Sequence, residues 1–78
     1  MHLCIMNQDV LKLFGEHLRK IRTKKGFTQV ELAYKGNFDR NYIGMLERGE
    51  RNPSLRNIIR LAEALDISLT ELVSFKFK

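Results

Sequence analysis

The chain has a single cysteine, Cys4, among 78 residues, so it can form no internal disulfide. Its two histidines, His2 and His17, stand apart from any Cys/His cluster, which excludes a structural zinc site. No apolar run reaches the ~18 residues of a membrane span. The opening "MHLCIM" is too short for the ~7–15-residue apolar stretch of a secretory signal. A cytoplasmic protein with a reduced Cys4 is expected, and Met6 is an alternative start. There is no Gly-rich phosphate loop, no Ser/His/Asp set and no carboxylate pair with an apolar pocket, so neither an enzyme nor a cofactor or small-molecule substrate is expected. One small core alone stabilises a chain of this length by only roughly 3–5 kcal/mol. With staples excluded, good helix packing or a partner subunit must assist it.

What the sequence does have is basic charge in one region. The formal charge is +5 overall. Residues 19–60 hold eleven Lys/Arg against four Asp/Glu, a balance of +7, and the rest of the chain carries −2. A one-signed region is the mark either of a surface facing an anionic partner or of ordinary solvated helix faces.

Strand signals are nearly absent. Helical signals come in five blocks, which predicts an all-α fold. The first runs from about Gln8 to Lys25, with Leu11, Phe14, Leu18 and Ile21 on one stripe, Asp9 in its first turn and Gly26 as its stop. The second opens on "TQVE", where Thr28 and Glu31 form a capping box. The third is capped by Asp39 and ends before Gly49. The fourth is capped by Ser54, with Ile58, Leu61, Ala62 and Leu65 inward. The fifth opens on "SLTE", a second capping box from Ser68 to Glu71. The expected organisation is an N-terminal extension over 1–7, one domain over 8–74 and a short tail over 75–78.

The segment from Gln29 to Leu46 carries the most information. Ala33 follows Gln29 by four, Asn37 follows Ala33 by four, Ile43 comes six later and Leu46 three after that. Ala33 is small where a second helix crosses above it. Asn37 falls at a turn that needs positive φ, where Asn is the next choice after Gly. Leu32, Ile43 and Leu46 lock two helices at the steep angle of a helix-turn-helix. The third block would then be a recognition helix whose N-terminal end enters the major groove of duplex DNA. That accounts for the long polar side chains on its outward side.

The stretch "TQVELAYKGNFDRNYIGMLERG", continued by "NPSLRNIIRLAEALDISLTELV", resembles the lambda-repressor-like or Xre helix-turn-helix family over roughly residues 11–73. "DRNYIGMLERGERNPSL" is similar to the controller proteins of restriction–modification systems. Asn37 stands where the wider Xre family usually has glycine; against the controller proteins, Asn41 stands where threonine is usual and Gly44 where serine is usual. The resemblance implies a compact five-helix domain and a transcriptional regulator that both activates and represses. It also implies a structural salt bridge between Arg22 and Glu47.

For base reading, Arg40 suits guanine O6 and N7 together, and Asn41 suits adenine N6/N7 or a phosphate. Tyr42 could reach a phosphate or a thymine methyl, and Met45 could pack on a methyl. Asp39 could accept from cytosine N4 or serve only as a cap. Thr28 and Gln29, at the start of the second block, and Arg48, Arg51 and Asn52, after the third, are expected on phosphates, where they position the protein without reading sequence. One such domain covers half an operator, and a second copy would sit about 34–36 Å away, which calls for a homodimer. Ile67, Leu69, Leu72, Val73 and Phe75, in the less basic last third, are the candidate interface, unless Leu69 or Leu72 closes the monomer core. The rival expectation is an antitoxin or other protein-binding adaptor on the same fold. A toxin-binding arm would need a further segment, and the chain ends about five residues past the fifth block.

Overall fold

Four of the five helices begin at a side chain that replaces a missing backbone partner. Thr28 accepts from the Glu31 N–H while Glu31 reaches back to the Thr28 N–H, a complete capping box. Asp39 caps through the Asn41 N–H, Ser54 through Asn57 and Ser68 through Glu71. At Ser68 the bond is one-way: Ser68 accepts, and Glu71 is not its reciprocal partner. The computed structural model describes residues 2–75 in the backbone and 10–75 in the side chains. Within them lie α1 (His2–Lys24), α2 (Gln29–Gly36), α3 (Arg40–Glu47), α4 (Leu55–Leu65) and α5 (Leu69–Leu72), and no strand. None of these helices is long and apolar enough to cross a membrane.

Helix α1 begins at His2 rather than near Gln8. No glycine or proline interrupts residues 2–8, so nothing stops the helix at the expected point. Asp9 therefore lies well inside α1, away from its first turn. The Cys4 side chain and tail residues 76–78 lie outside the described residues.

Helix α2 ends on Asn37, which adopts the left-handed conformation (φ 60°, ψ 47°) that the turn was expected to require. Its N–H and that of Phe38 return to carbonyls of the last turn of α2, and α3 begins at Arg40. Asp66 ends α4 in the same way.

The core gathers one face of every helix. Leu18, Leu32, Ile43, Leu46, Leu61, Leu65 and Leu72 are wholly buried, and Phe14, Ala33, Ala62 and Ala64 nearly so. Each of the large aliphatic side chains contributes about 1.5–3 kcal/mol of transfer free energy. Helix α1 packs on α3 and α5, α2 on α3 and α4, and α4 on α5. The crossing of α1 over α3 is close because position 15 is glycine. A Cβ there would meet the Leu46 carbonyl oxygen and lie 2.6 Å from that of Glu47. Both are backbone atoms and neither can swing aside.

Gly15→Ala is therefore expected to destabilise the protein by about 1–3 kcal/mol through overpacking, although alanine favours a helix by ~1 kcal/mol. The urea midpoint should fall with the slope unchanged; an equal or higher midpoint would mean that the two helices can part at no cost.

Candidate nucleic-acid interface

The orientation of α3 is set at its C-terminal end by Glu47. Its Oε2 accepts from Arg22 Nε at 2.6 Å, and its Oε1 accepts from Arg22 Nη2 at 3.1 Å and from Gln29 Nε2 at 3.0 Å. Arg22 Nη1 also donates to the Phe27 carbonyl oxygen at 2.7 Å. The Arg22 and Glu47 side chains are only 10% and 4% exposed. One carboxylate thus joins the last turn of α1, the first residue of α2 and the last residue of α3. The ion pair implied by the resemblance is present. Gln29, expected on a phosphate, is half-buried with its amide nitrogen committed to Glu47.

The opposite end of α3 points outward. Arg40 and Asn41 have exposed side chains at its first two positions, and Tyr42 and Met45 are half-buried behind them. Asp39 is the N-cap, its carboxylate 3.0 Å from the Asn41 N–H. Thr28 is committed to its capping box through both its N–H and its hydroxyl oxygen, so the phosphate contact expected there has only the hydroxyl hydrogen to offer. Arg48 closes α3, and its guanidinium grips the Glu50 carboxylate at 3.0 and 3.1 Å. The hydrogen bonds from Arg48 hold the Glu50 carboxyl below its ordinary range; desolvation pulls the other way, and a smaller charge attraction to Arg48 adds to the bonds. The same pairing raises Arg48. The pair forms above the usual carboxylate range and opens only as pH falls through the lowered value of Glu50; fully exposed, it adds little to stability. Arg48 also lies against the bare side of Gly44, where a Cβ would come within 3.2 Å of Nη1 and 3.8 Å of Gln29 Oε1. Arg51 sits over the Tyr42 ring at 5.3 Å, and Asn52 is exposed beyond it.

Three residues at this face are absent from the sequence reading of the site: Phe38, Asn57 and Arg60. Phe38 stacks on Tyr42 with ring centroids 5.6 Å apart. Asn57 donates to the Tyr42 hydroxyl at 2.9 Å. Arg60 donates to the carbonyl oxygens of Gly36 and Asn37, both at 2.8 Å, and so fastens the turn between α2 and α3 to α4. The i, i+3 spacing of Asn57 and Arg60 is the only local signal of this arrangement, and charged helices show such spacings often.

The expected subunit interface divides. Leu72 is wholly buried and closes the monomer's own core, so it has no surface to give a partner. Ile67 packs against that core, and Phe75 lies edge-on to Phe14 at 6.2 Å. His17 Nε2 donates to the Glu71 carbonyl oxygen at 2.9 Å, tying α5 to α1. Leu69 and Val73 remain 40% and 43% exposed, and Leu55 and Ile59 on α4 add apolar surface that the sequence reading passed over.

Two short helices joined by a tight left-handed turn, the second braced from behind and exposed at its tip, define a helix-turn-helix. The helix-turn-helix family model matches residues 18–72, and the chain belongs to that family. It is 53% identical to the restriction–modification controller protein C.AhdI of Aeromonas hydrophila, whose crystal structure superposes with a TM-score of 0.77 over 82% of this chain and 96% of that one. It is 38% identical over 71 residues to control protein C.BamHI of Bacillus amyloliquefaciens, covering 90% of this chain and 88% of that one. It is also similar to the controller protein C.Esp1396I, solved as a tetramer with its natural 35-base-pair operator, at 34% identity and a TM-score of 0.72 over 82% of this chain and 93% of that one.

Glu47→Ala is expected to cost about 3–5 kcal/mol, because it leaves the Arg22 charge buried and unpaired. That is comparable with the whole stability of a domain this small, so far-UV circular dichroism should show much of the chain unfolded without denaturant. The double variant Arg22→Met/Glu47→Leu should regain most of the loss. A single variant as stable as the parent would mean that water reaches Arg22 freely.

Proposed function

We propose that the protein is a sequence-specific transcriptional regulator of the controller type, which binds a pseudo-palindromic operator as a homodimer and serves a restriction–modification system. The observation that carries this reading is the exposed N-terminal tip of α3, with Arg40 and Asn41 outward, fixed in direction by Arg22, Gln29 and Glu47. In this reading the tip enters the major groove. Arg40 reads a guanine and Asn41 an adenine or a phosphate. Tyr42 and Met45 complete the base-facing side, and Asp39 serves as the cap. Arg48, Arg51 and Asn52 lie toward the adjoining phosphates, with Thr28 and Gln29 on the other flank.

A phosphate competes with Glu50 for Arg48, which makes that contact sensitive to salt. The positive balance of residues 19–60 supplies attraction for any duplex. Leu69 and Val73, with Ile67 and Phe75 behind them, present the apolar surface for the twin subunit. The protein acts in the cytoplasm by occupying DNA, without catalysis.

Arg40→Ala should cost roughly 1–3 kcal/mol on a matched duplex and relax preference at about one base pair. Gln29→Ala should instead weaken binding to a similar degree on matched and scrambled duplexes. Fluorescence anisotropy at two salt concentrations separates the two effects, and identical behaviour of both variants on both duplexes would overturn these roles. Val73→Asp should shift the sedimenting species toward monomer and weaken binding to a two-half-site duplex; unchanged sedimentation would remove α5 from the interface.

A further inference from the structure

The Tyr42 hydroxyl has its hydrogen-bonding direction set by the fold. Asn57 approaches it with Nδ2 at 2.9 Å. An amide can present either its oxygen or its nitrogen, and the choice depends on the surrounding bonds. Arg60 makes the choice. Its Nη1 lies 3.2 Å from Asn57 Oδ1, and a guanidinium can only donate, so the oxygen must face Arg60 and the nitrogen must face Tyr42. Arg60 is fixed in turn by the Gly36 and Asn37 carbonyl oxygens and by the Phe38 ring 4.3 Å below it. The phenol ring is held between Phe38, stacked at 5.6 Å, and the Arg51 guanidinium at 5.3 Å. The Tyr42 oxygen therefore accepts from Asn57, and its own hydrogen is left to be given outward.

We infer that Asn57 and Arg60 are positioning residues that make Tyr42 an obligate hydrogen-bond donor toward DNA. This rests on the DNA-binding reading above and deepens it. The matching group on the duplex is an acceptor: a phosphate oxygen, or a base-edge acceptor such as guanine O6 or N7 or thymine O4. The exocyclic amines of adenine and cytosine are donors, and facing them Tyr42 would set hydrogen against hydrogen. A hydroxyl free to rotate would tolerate either kind of edge. Held as it is, Tyr42 discriminates by acceptance alone, and the discrimination originates in α4, which itself reads no base.

The probe is the duplex that the wild-type protein enriches most from a random-sequence DNA pool, with a scrambled duplex beside it. Asn57→Asp replaces the donor by a carboxylate that accepts only, which turns the Tyr42 hydrogen inward. An acid in the first turn of α4 favours the helix, so this variant keeps its fold. On the enriched duplex, Asn57→Asp and Tyr42→Phe should each weaken binding roughly tenfold, the worth of one good hydrogen bond. In the Tyr42→Phe background Asn57→Asp should add only the charge repulsion it brings. Asn57→Leu, which adds no charge and frees the hydroxyl, should lose less than Asn57→Asp.

A loss on both duplexes assigns the acceptor to phosphate, and a loss on the enriched duplex alone assigns it to a base edge. Equal losses from Asn57→Asp with and without the Tyr42 hydroxyl, or wild-type binding by Tyr42→Phe, overturn the inference while leaving the DNA-binding reading intact. Enrichment of no duplex by the wild-type protein overturns both.

Discussion

A carboxylate and a guanidinium almost out of water, at the point where three segments meet, are an expensive way to join helices. The desolvation of both charges offsets most of their attraction, and apolar residues of similar volume would hold the segments about as firmly. What the Glu47 cluster adds is direction. Its two oxygens accept from Arg22 and Gln29, groups on different segments. Donors and acceptors must line up to within a few tenths of an ångström and a few tens of degrees, whereas a leucine contact tolerates sliding. The backbone of the same turn of α3 also receives Gly15 of α1 at close range. Side chain and main chain are thus gripped at one place, and α3 cannot roll about its axis without losing both.

A second fastening acts at the other end of the helix-turn-helix. Arg60 grips the carbonyls where α2 turns into α3, and Asn57 reaches the Tyr42 hydroxyl. The two short helices are therefore clamped from behind by α1 and from the side by α4. Two basic side chains that follow α3 already have intramolecular partners: Arg48 has Glu50 and Arg51 has the Tyr42 ring. These are weak, solvent-washed contacts, easily exchanged for stronger ones. They hold the two cations close to α3, and in the DNA-bound form proposed above this would reduce the ordering needed on association.

What could be read from the residues in order was what depends on neighbours a few positions away. Thr28 with Glu31, Asp39, Ser54 and Ser68 announced the starts of their helices, and Asn37 announced a left-handed turn, because capping and φ preference are local matters. The exposed tip of α3 followed from the same local logic. The contributions of Gly15, Asn57 and Arg60 could not be read this way, since each meets a partner from 15 to 32 positions away. A glycine inside a helical stretch looks like a weakness until the crossing helix is in place. The end of the chain misled for a related reason. Leu72 and Val73 are adjacent and equally apolar, and only the packing of α5 on the core decides that one is wholly buried and the other turned to solvent. The start of α1 was placed too late because the apolar opening residues carry no cap and no breaker to read.

The side chains of Arg40 and Asn41 take no part in the clamps that set the geometry; their neighbours Asp39 and Tyr42 do that work. Exposed positions of this sort tolerate replacement within about half a kcal/mol. In the proposed reading, where Arg40 and Asn41 face the bases, vocabulary and grammar are thereby uncoupled: two residues can drift to other identities while the scaffold that presents them persists. Descendants of one such gene could then diverge into mutually deaf circuits within a single cell, each answering to its own address.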